Sequence, residues 1–165
     1  MSELLYLEDL EPGAAWKSPA RTVTEGDIVS FAGLTGDYDP LHVDREYAAQ
    51  TPYGKPIAHG LLGLSFMAGL SSTCPRMRTL ALVKVEDWQF TKPVYPGDTV
   101  HVMTQVDSIT PKGRKAGEVV WHRRLINQRG ECVQEGKLIT LVSSRNFLPR
   151  NKKSKVDQET VAQES

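Results

Sequence analysis

The residue types best suited to chemistry stand close together early in the chain, where a carboxylate precedes an imidazole by five positions. Asp37 and His42 lie on either side of Pro40, which favours a turn that could direct both side chains into one space. An ionised aspartate and a neutral histidine can each accept a proton, and a protonated histidine can donate one. Such a pair suits a reaction that takes a proton from water and delivers one to carbon.

The spacing of these two residues is not specific by itself, because short Asp–His patterns also occur by chance. The alternative is that Asp37 caps a loop and His42 is an ordinary polar residue with its hydrogen bonds satisfied.

A second feature, His59-Gly60, stands immediately before an apolar segment. The first N–H groups of a helix have no intrahelical partners, and this end of the helix carries a partial positive charge. A glycine there lets a substrate approach the backbone closely. The N–H of Gly60 is therefore a candidate donor to a carbonyl oxygen that gains charge as an enolate forms. We expect His59 to hold the loop.

The elements that must position these groups can be read from the surrounding pattern. A strand over Trp16–Val23 is followed by a helix that Thr24 caps, with Asp27 three residues further on, and Gly36 ends this helix. Residues Asp37 to His42 are predicted to form a turn, and Asp44 to cap one more short helical turn.

The segment Gly60–Ser72 is apolar around nearly its whole circumference, which predicts a helix buried in the middle of the domain. Long strands follow it. The fold class is therefore α+β, with an antiparallel sheet of five or more strands wrapped around a long buried central helix. The predicted strands are Leu80–Phe90, Thr99–Val106, Glu118–Asn127 and Cys132–Val142.

The length of 165 residues suits one domain, which we place at residues 1–145. Residues 146–165 are polar and are expected to be a disordered tail. An exposed sheet edge must be covered, so pairing with a second copy, as a homodimer or a larger homo-oligomer, is expected.

Charge and cysteine content exclude several classes of protein. Twenty basic and twenty acidic residues give a net charge of zero, which argues against nucleic-acid or membrane partners. The amino terminus does not resemble a signal peptide, and the longest apolar run is too short to span a bilayer. Two distant cysteines predict neither a disulfide framework nor a zinc site, so we expect a cytoplasmic protein.

Three stretches carry a resemblance to a known family, and together they cover most of residues 4 to 143. The chain resembles the MaoC-like dehydratase and R-specific enoyl-CoA hydratase family, a branch of the hot-dog fold. The stretches are Leu7–Gly13, Thr22–Leu62 with its Asp-x-x-x-Pro-x-His and His-Gly patterns, and Phe90–Thr99.

The resemblance implies reversible hydration of a trans-2-enoyl thioester to an R-3-hydroxyacyl thioester, with the acyl group on coenzyme A or a carrier protein. Asp37 and His42 would hold the reacting water, and the Gly60 N–H would bind the thioester oxygen. No metal and no redox cofactor are expected. The substrate-binding residues would be Asp39, His59, Leu61 and Ser65, although a serine within a helix more commonly bonds its own backbone.

One residue departs from the family pattern, because Asp39 occupies a position where the family usually has asparagine. An amide can donate hydrogen bonds, whereas an ionised carboxylate can only accept them. The extra negative charge would also favour a protonated imidazole nearby. Two other functions stay open: a non-catalytic subunit that binds acyl thioesters or completes a partner's site, and an acyl-CoA thioesterase on the same fold.

Overall fold

A single antiparallel sheet of six strands forms the body of the protein, which is described here from a computed structural model covering residues 3–147. The strand order is β1-β4-β5-β6-β3, and β2 also pairs with β4. The predicted α+β class with an antiparallel sheet of at least five strands is confirmed. The strands are β1 (Ala15–Lys17), β2 (Arg21–Thr22), β3 (Thr79–Phe90), β4 (Thr99–Lys112), β5 (Ala116–Ile126) and β6 (Cys132–Ser143).

The first predicted strand, Trp16–Val23, is two short strands instead of one. Pro19 lies between β1 and β2, and a proline cannot donate a ladder hydrogen bond. The chain stays attached to β4 at this break because the N–H of Ser18 donates to the Val102 carbonyl and its hydroxyl accepts from the Val102 N–H, both at 2.9 Å.

Helix α1 (Glu25–Thr35) begins and ends as the sequence predicts. The Thr24 hydroxyl accepts a hydrogen bond from the Asp27 N–H, and the Asp27 carboxylate accepts one from the Thr24 N–H. Gly36 ends the helix with a left-handed backbone at φ +79°, a conformation that glycine adopts without steric cost. This end fixes where the chain leaves α1 on its way to Asp37.

The segment predicted to be only a turn contains a short helix, α2 (Pro40–Val43), so His42 is helical. Proline is compatible with the first position of a helix, where the N–H would be unpaired in any case. A further short helix, α3 (Arg45–Ala49), begins as predicted, because the Asp44 carboxylate accepts hydrogen bonds from the N–H groups of Glu46 and Tyr47.

Helix α4 (Gly60–Ser71) packs against β4 and β5 through a single face. Its buried residues are Leu62, Gly63, Met67 and Ser71, whereas Leu61 is 60% exposed. The expectation that this helix is buried around its whole circumference is therefore wrong for a single chain. Apolar composition predicts that a face avoids water, but it does not tell whether the same chain covers that face.

The apolar interior is divided into two clusters along the sheet. One surrounds the amino-terminal half of α4 and includes Val102 and Leu125. The other includes Val106 and Trp121. Between them, on the same faces of β4 and β5, lie the polar residues Thr104 and Arg123, which are opposite each other across the two strands.

Two predictions concern the chain as a whole. Within residues 3–147, no helix is both long and apolar enough to cross a membrane. The polar tail predicted for residues 146–165 lies almost entirely outside the described residues, and its disorder stays a prediction.

Candidate active site

Asp37 stands in the short connection between α1 and α2, directly after the glycine that ends α1. Its N–H donates to the Thr35 hydroxyl at 3.3 Å, and its carboxylate accepts from the Asp39 N–H at 3.3 Å. The side chain is 54% exposed. The backbone of Asp37 is therefore held by local bonds, while its side chain is about half exposed and is not among the residues that line the cleft described below.

His42 is oriented by a backbone carbonyl from the loop before α4. Its Nδ1 lies 2.7 Å from the carbonyl oxygen of Ile57. Because a carbonyl can only accept, Nδ1 must carry the proton in this bond, and the neutral ring then has its lone pair on Nε2. This tautomer leaves Nε2 as a proton acceptor.

His59 is buried directly behind His42, with only 3% of its side chain exposed. The two imidazole rings stack with 3.8 Å between their centroids and 30° between their planes. The Nε2 of His59 donates to the backbone carbonyl of Asp37 at 2.9 Å. His59 therefore ties the Asp37 backbone to the start of α4, in keeping with its expected role of holding the loop.

Together these bonds bring one carboxylate and two imidazoles to one point. Ligand-type atoms of Asp37, His42 and His59 all lie within 4.8 Å of one another. As a metal site, the cluster offers few ligands near Asp37, because the His59 nitrogen nearest to that carboxylate carries the proton that it donates to a carbonyl. The other His59 nitrogen, Nδ1, is buried without a partner in residues 3–147. Beside the Asp37 carboxylate this leaves His42 Nε2, whereas a catalytic zinc takes three protein ligands.

A cleft of about 250 Å³ opens beside this cluster, between the start of α4 and the ends of β3 and β6. His42, Gly60, Phe90 and Gln134 are among its lining residues. Gly60 is the first residue of α4, so its N–H has no acceptor within the helix. A side chain at this position would approach the Phe90 ring to 3.0 Å, so glycine keeps the backbone accessible.

Comparison with known proteins gives the family. Residues 9–126 match the model of the MaoC like domain. The chain belongs to this family. The (R)-specific enoyl-CoA hydratase of Rhodospirillum rubrum is 34% identical over 143 residues, which are 86% of this chain and 94% of that protein. The 3-hydroxybutyryl-CoA dehydratase of Methylorubrum extorquens is 37% identical over 116 residues, covering 68% and 71%.

Solved structures with the same fold superpose on this MaoC-like chain. A MaoC-like dehydratase from Rhodospirillum rubrum superposes with a TM-score of 0.79 at 31% identity, covering 87% of this chain and 99% of that one. A Mycobacterium tuberculosis protein described as a double hot-dog fold superposes with a TM-score of 0.76 at 22% identity. This superposition covers 88% of this chain and 46% of that one. The hot-dog fold expected from the sequence is thus confirmed.

Three residues of the MaoC-like chain that are predicted to bind substrate have local contacts in the structure, and their roles stay predictions. Asp39 caps α2, since its carboxylate accepts from the Leu41 N–H at 2.9 Å. Leu61 lies on the open face of α4. Ser65 donates its hydroxyl to the Leu61 carbonyl at 2.8 Å, the helix-bonded alternative foreseen for it. Neither Leu61 nor Ser65 lines the cleft described above.

Two residues of the cleft were not among the predicted site residues. Phe90 is 54% exposed and forms one wall. Gln134 is buried, donates to the Gly60 carbonyl at 3.0 Å and has an Oε1 without a partner in residues 3–147. Gln134 stands four residues before Leu138 on β6, at the spacing that places both on one face of a strand, so a polar residue on the inward face was the available signal.

Proposed function

We propose that this protein adds water to a trans-2-enoyl thioester, or removes water from the corresponding R-3-hydroxyacyl thioester. Family membership and the names of its relatives support a hydratase or dehydratase lyase. The observation that carries the finer assignment is the short separation of the Asp37 carboxylate from His42, whose Nδ1–H bond to Ile57 leaves Nε2 free to accept a proton.

In the proposed reaction, one water is held between the Asp37 carboxylate and His42 Nε2. The imidazole takes a proton from the water as the oxygen adds to C3 of the acyl group. The electron pair of the double bond moves towards the thioester oxygen, where the Gly60 N–H and the positive end of α4 stabilise the enolate. The imidazolium then gives the proton to C2, so that the elements of one water are added across the double bond.

The proposed reaction is redox-neutral, and protein groups supply both proton transfer and charge stabilisation. We therefore propose that it needs no metal or redox cofactor and that activity persists in a chelator. Coenzyme A or a carrier protein would bring the acyl group, as the relatives named for CoA substrates suggest.

The test is to incubate the purified full chain with a short trans-2-enoyl-CoA and to follow the loss of the conjugated double bond. Asp37→Asn and His42→Ala should each lower kcat/KM by about 10²–10⁴-fold, the usual contribution of a positioned acid or base. Asp107→Asn, a change at an exposed aspartate on β4, is the matched control and should leave the rate unchanged.

Near wild-type rates in both site variants would contradict the assignment. Release of thiol from a saturated acyl-CoA would instead indicate thioesterase activity, and binding without turnover would indicate a non-catalytic subunit.

We also propose that two copies of the chain associate through the edge strand β3 and the open face of α4. β3 pairs only with β6 among the described strands and exposes several apolar side chains. An exposed apolar edge is a liability unless it is covered. These side chains are Leu80, Leu82, Val83 and Val85.

Sedimentation should give about twice the 18.3 kDa mass of one chain. Val83→Lys should shift the protein towards the monomer, whereas Gln105→Lys, at an exposed position on β4, should not. A wild-type monomer at assay concentrations would contradict this proposal.

A further inference from the structure

A buried arginine interrupts the apolar interior between the two core clusters. Arg123 lies on the inward face of β5, directly opposite Thr104 on β4, and both residues are buried. Within residues 3–147, the Nε of Arg123 and the hydroxyl of Thr104 have no hydrogen-bond partner. Buried polar groups are nearly always paired, so two neighbouring exceptions require an explanation.

No carboxylate of the described part of the chain pairs with Arg123. Its side chain is 9% exposed, and its Cζ lies over the Trp121 ring at 5.7 Å from the centroid, a weak cation–π contact. Burial alone lowers its pKa to about 10, with no contribution from a carboxylate, so it remains protonated near neutral pH. Burying an unpaired charge is costly, and proteins normally supply a partner.

Arg123 lines a second cavity, of about 230 Å³, at the far end of α4 from Gly60. Most of the wall is apolar, including Leu82 and Leu138. Two hydroxyl groups of the wall have partners: Ser71 donates to the Met67 carbonyl, and Thr140 accepts from the Trp121 indole. Among the residues that line this cavity, Arg123 is the charged one. The carboxyl end of α4 adds only a partial negative charge.

This cavity and the catalytic cleft share no lining residue, but both lie along one face of the sheet. Gln134 lines the cleft, Leu138 and Thr140 line the cavity, and all three project from the same side of β6. Along α4, Gly60 and Ala68 mark the two sites, and at 1.5 Å per residue they are about 12 Å apart.

Three buried polar atoms that lack partners in the described part of the chain lie at or near the two sites. The indole of Trp88 covers Gly136, where a Cβ would come within 2.6 Å of the ring. The Trp88 N–H, Gln134 Oε1 and Arg123 Nε are all buried and lack partners in residues 3–147. An alkyl terminus beside Arg123 would leave its Nε without an acceptor, whereas a carboxylate would supply one.

We propose that Arg123 binds a carboxylate at the distal end of the acyl group, so that the substrate is a thioester of an unsaturated dicarboxylic acid. This inference rests on the proposed hydratase function and names its substrate class. The planar guanidinium fork matches a carboxylate with two parallel hydrogen bonds, and the apolar wall accommodates the methylene groups before it. The distance along α4 suits a medium-length acyl chain.

The test compares two trans-2-enoyl-CoA substrates of equal chain length, trans-2-decenoyl-CoA and its counterpart with a terminal carboxylate. The wild-type chain should have a kcat/KM about tenfold or more higher for the carboxylate. Arg123→Gln should lower this value by about tenfold to hundredfold, the range for losing a hydrogen bond to a charged group, while the methyl-terminated substrate changes little. Arg123→Lys, which keeps the charge, should retain part of the preference.

Arg124→Gln is the matched control, because Arg124 is the next residue on β5 and is exposed. It should leave both substrates unaffected. Thermal unfolding of Arg123→Gln establishes that the variant is folded, and its activity on the methyl-terminated substrate provides a second check.

The outcomes separate the two levels of the proposal. If the wild type hydrates the methyl-terminated substrate equally well or better, or Arg123→Gln lowers both rates alike, the dicarboxylate inference fails and the hydratase function stands. If the wild type hydrates neither of these substrates nor a short enoyl-CoA, the proposed function fails and the substrate inference falls with it.

Discussion

The two ends of helix α4 differ in how the side chains proposed to act there are hydrogen-bonded. At the amino end, a buried histidine donates to the Asp37 carbonyl and His42 is bonded to the Ile57 carbonyl. At the carboxyl end, Arg123 is buried with no partner for its Nε in residues 3–147. At the amino end, backbone carbonyls of the chain itself therefore hold His42 and the Asp37 backbone in place, although His59 Nδ1 and Gln134 Oε1 lack partners in residues 3–147. At the carboxyl end, no such bond within the described residues holds the guanidinium.

The groups proposed to transfer protons are therefore held by hydrogen bonds within the protein, whereas the group proposed to bind a ligand is not. Bonds to backbone carbonyls fix ring tautomers and positions before any substrate arrives, which is what acid–base chemistry requires. An unpaired buried cation destabilises the free protein but gives a large differential interaction when an anion binds. The proposed acid–base site is therefore pre-organised, and the proposed specificity site is not.

Among the further variants that compare the two ends of α4, the largest effect is expected at the amino end, from deleting the proposed oxyanion donor. Gly60→Pro removes the backbone N–H but suits the first position of a helix, and His59 already has the extended backbone that precedes proline. Its kcat should fall by about 10²–10³-fold relative to Gly60→Ala. The alanine variant is the control, because it adds the same contact with Phe90 and keeps the N–H. Equal rates in the two variants would remove the Gly60 N–H from the proposed mechanism.

The next effect should come from releasing the Asp37 backbone. His59→Ala deletes the 2.9 Å hydrogen bond to the Asp37 carbonyl, and a displaced catalytic group can cost up to about 10²-fold in rate. His59→Gln can still donate a hydrogen bond and should recover part of kcat/KM. Steady-state kinetics of both variants on a short enoyl-CoA provide the measurement. A fully active His59→Ala enzyme would show that the stacked imidazole is dispensable.

At the carboxyl end of α4, replacing Arg123 should raise the stability of the protein while it lowers activity on the substrate with a terminal carboxylate. Arg123→Met replaces a buried unpaired charge with an apolar side chain and should increase the free energy of unfolding by about 2 kcal/mol in denaturant titrations. Arg124→Met, on the exposed face, should change it by no more than about 0.5 kcal/mol. A destabilised Arg123→Met protein would mean that the guanidinium is already well compensated.

The pH dependence of the stability gained by Arg123→Met follows from the direction in which folding shifts the pKa of Arg123. The folded-state pKa of Arg123, about 10, lies below its ordinary value of 12.5. The cost of the charge is therefore fully present below the folded-state value and is relieved as the pH rises through it. The gain from Arg123→Met should be the same at about pH 6 and about pH 8.

The smallest effect is expected from Asp39, which the structure places at the cap of α2. Asp39→Ala should lower the free energy of unfolding by about 1 kcal/mol, because the Leu41 N–H loses its acceptor. Asp39→Asn keeps an acceptor oxygen and should be nearly as stable as the wild type. Equal losses in both variants would show that the carboxylate charge, not the cap, provides the stabilisation.

The sequence alone determined the features that local physics controls. The capping pair Thr24 and Asp27 and the end of α1 at Gly36 each depend on neighbouring residues, and both were predicted correctly. The existence of the four long strands was also predicted. The approach of Asp37 to His42 was foreseen because only a short proline-containing segment separates them. Their catalytic roles stay predictions.

Only the tertiary structure decided which distant residues share a space. Gln134 and Phe90 join Gly60 at the cleft because β3 and β6 meet the start of α4, a contact that no local pattern encodes. The exposure of one face of α4 could not be predicted for the same reason, because apolar composition does not identify the element that covers a face. Arg123 appeared from the sequence to be an ordinary strand residue. Its lack of a partner depends on everything packed around it, and that arrangement is a property of the folded chain.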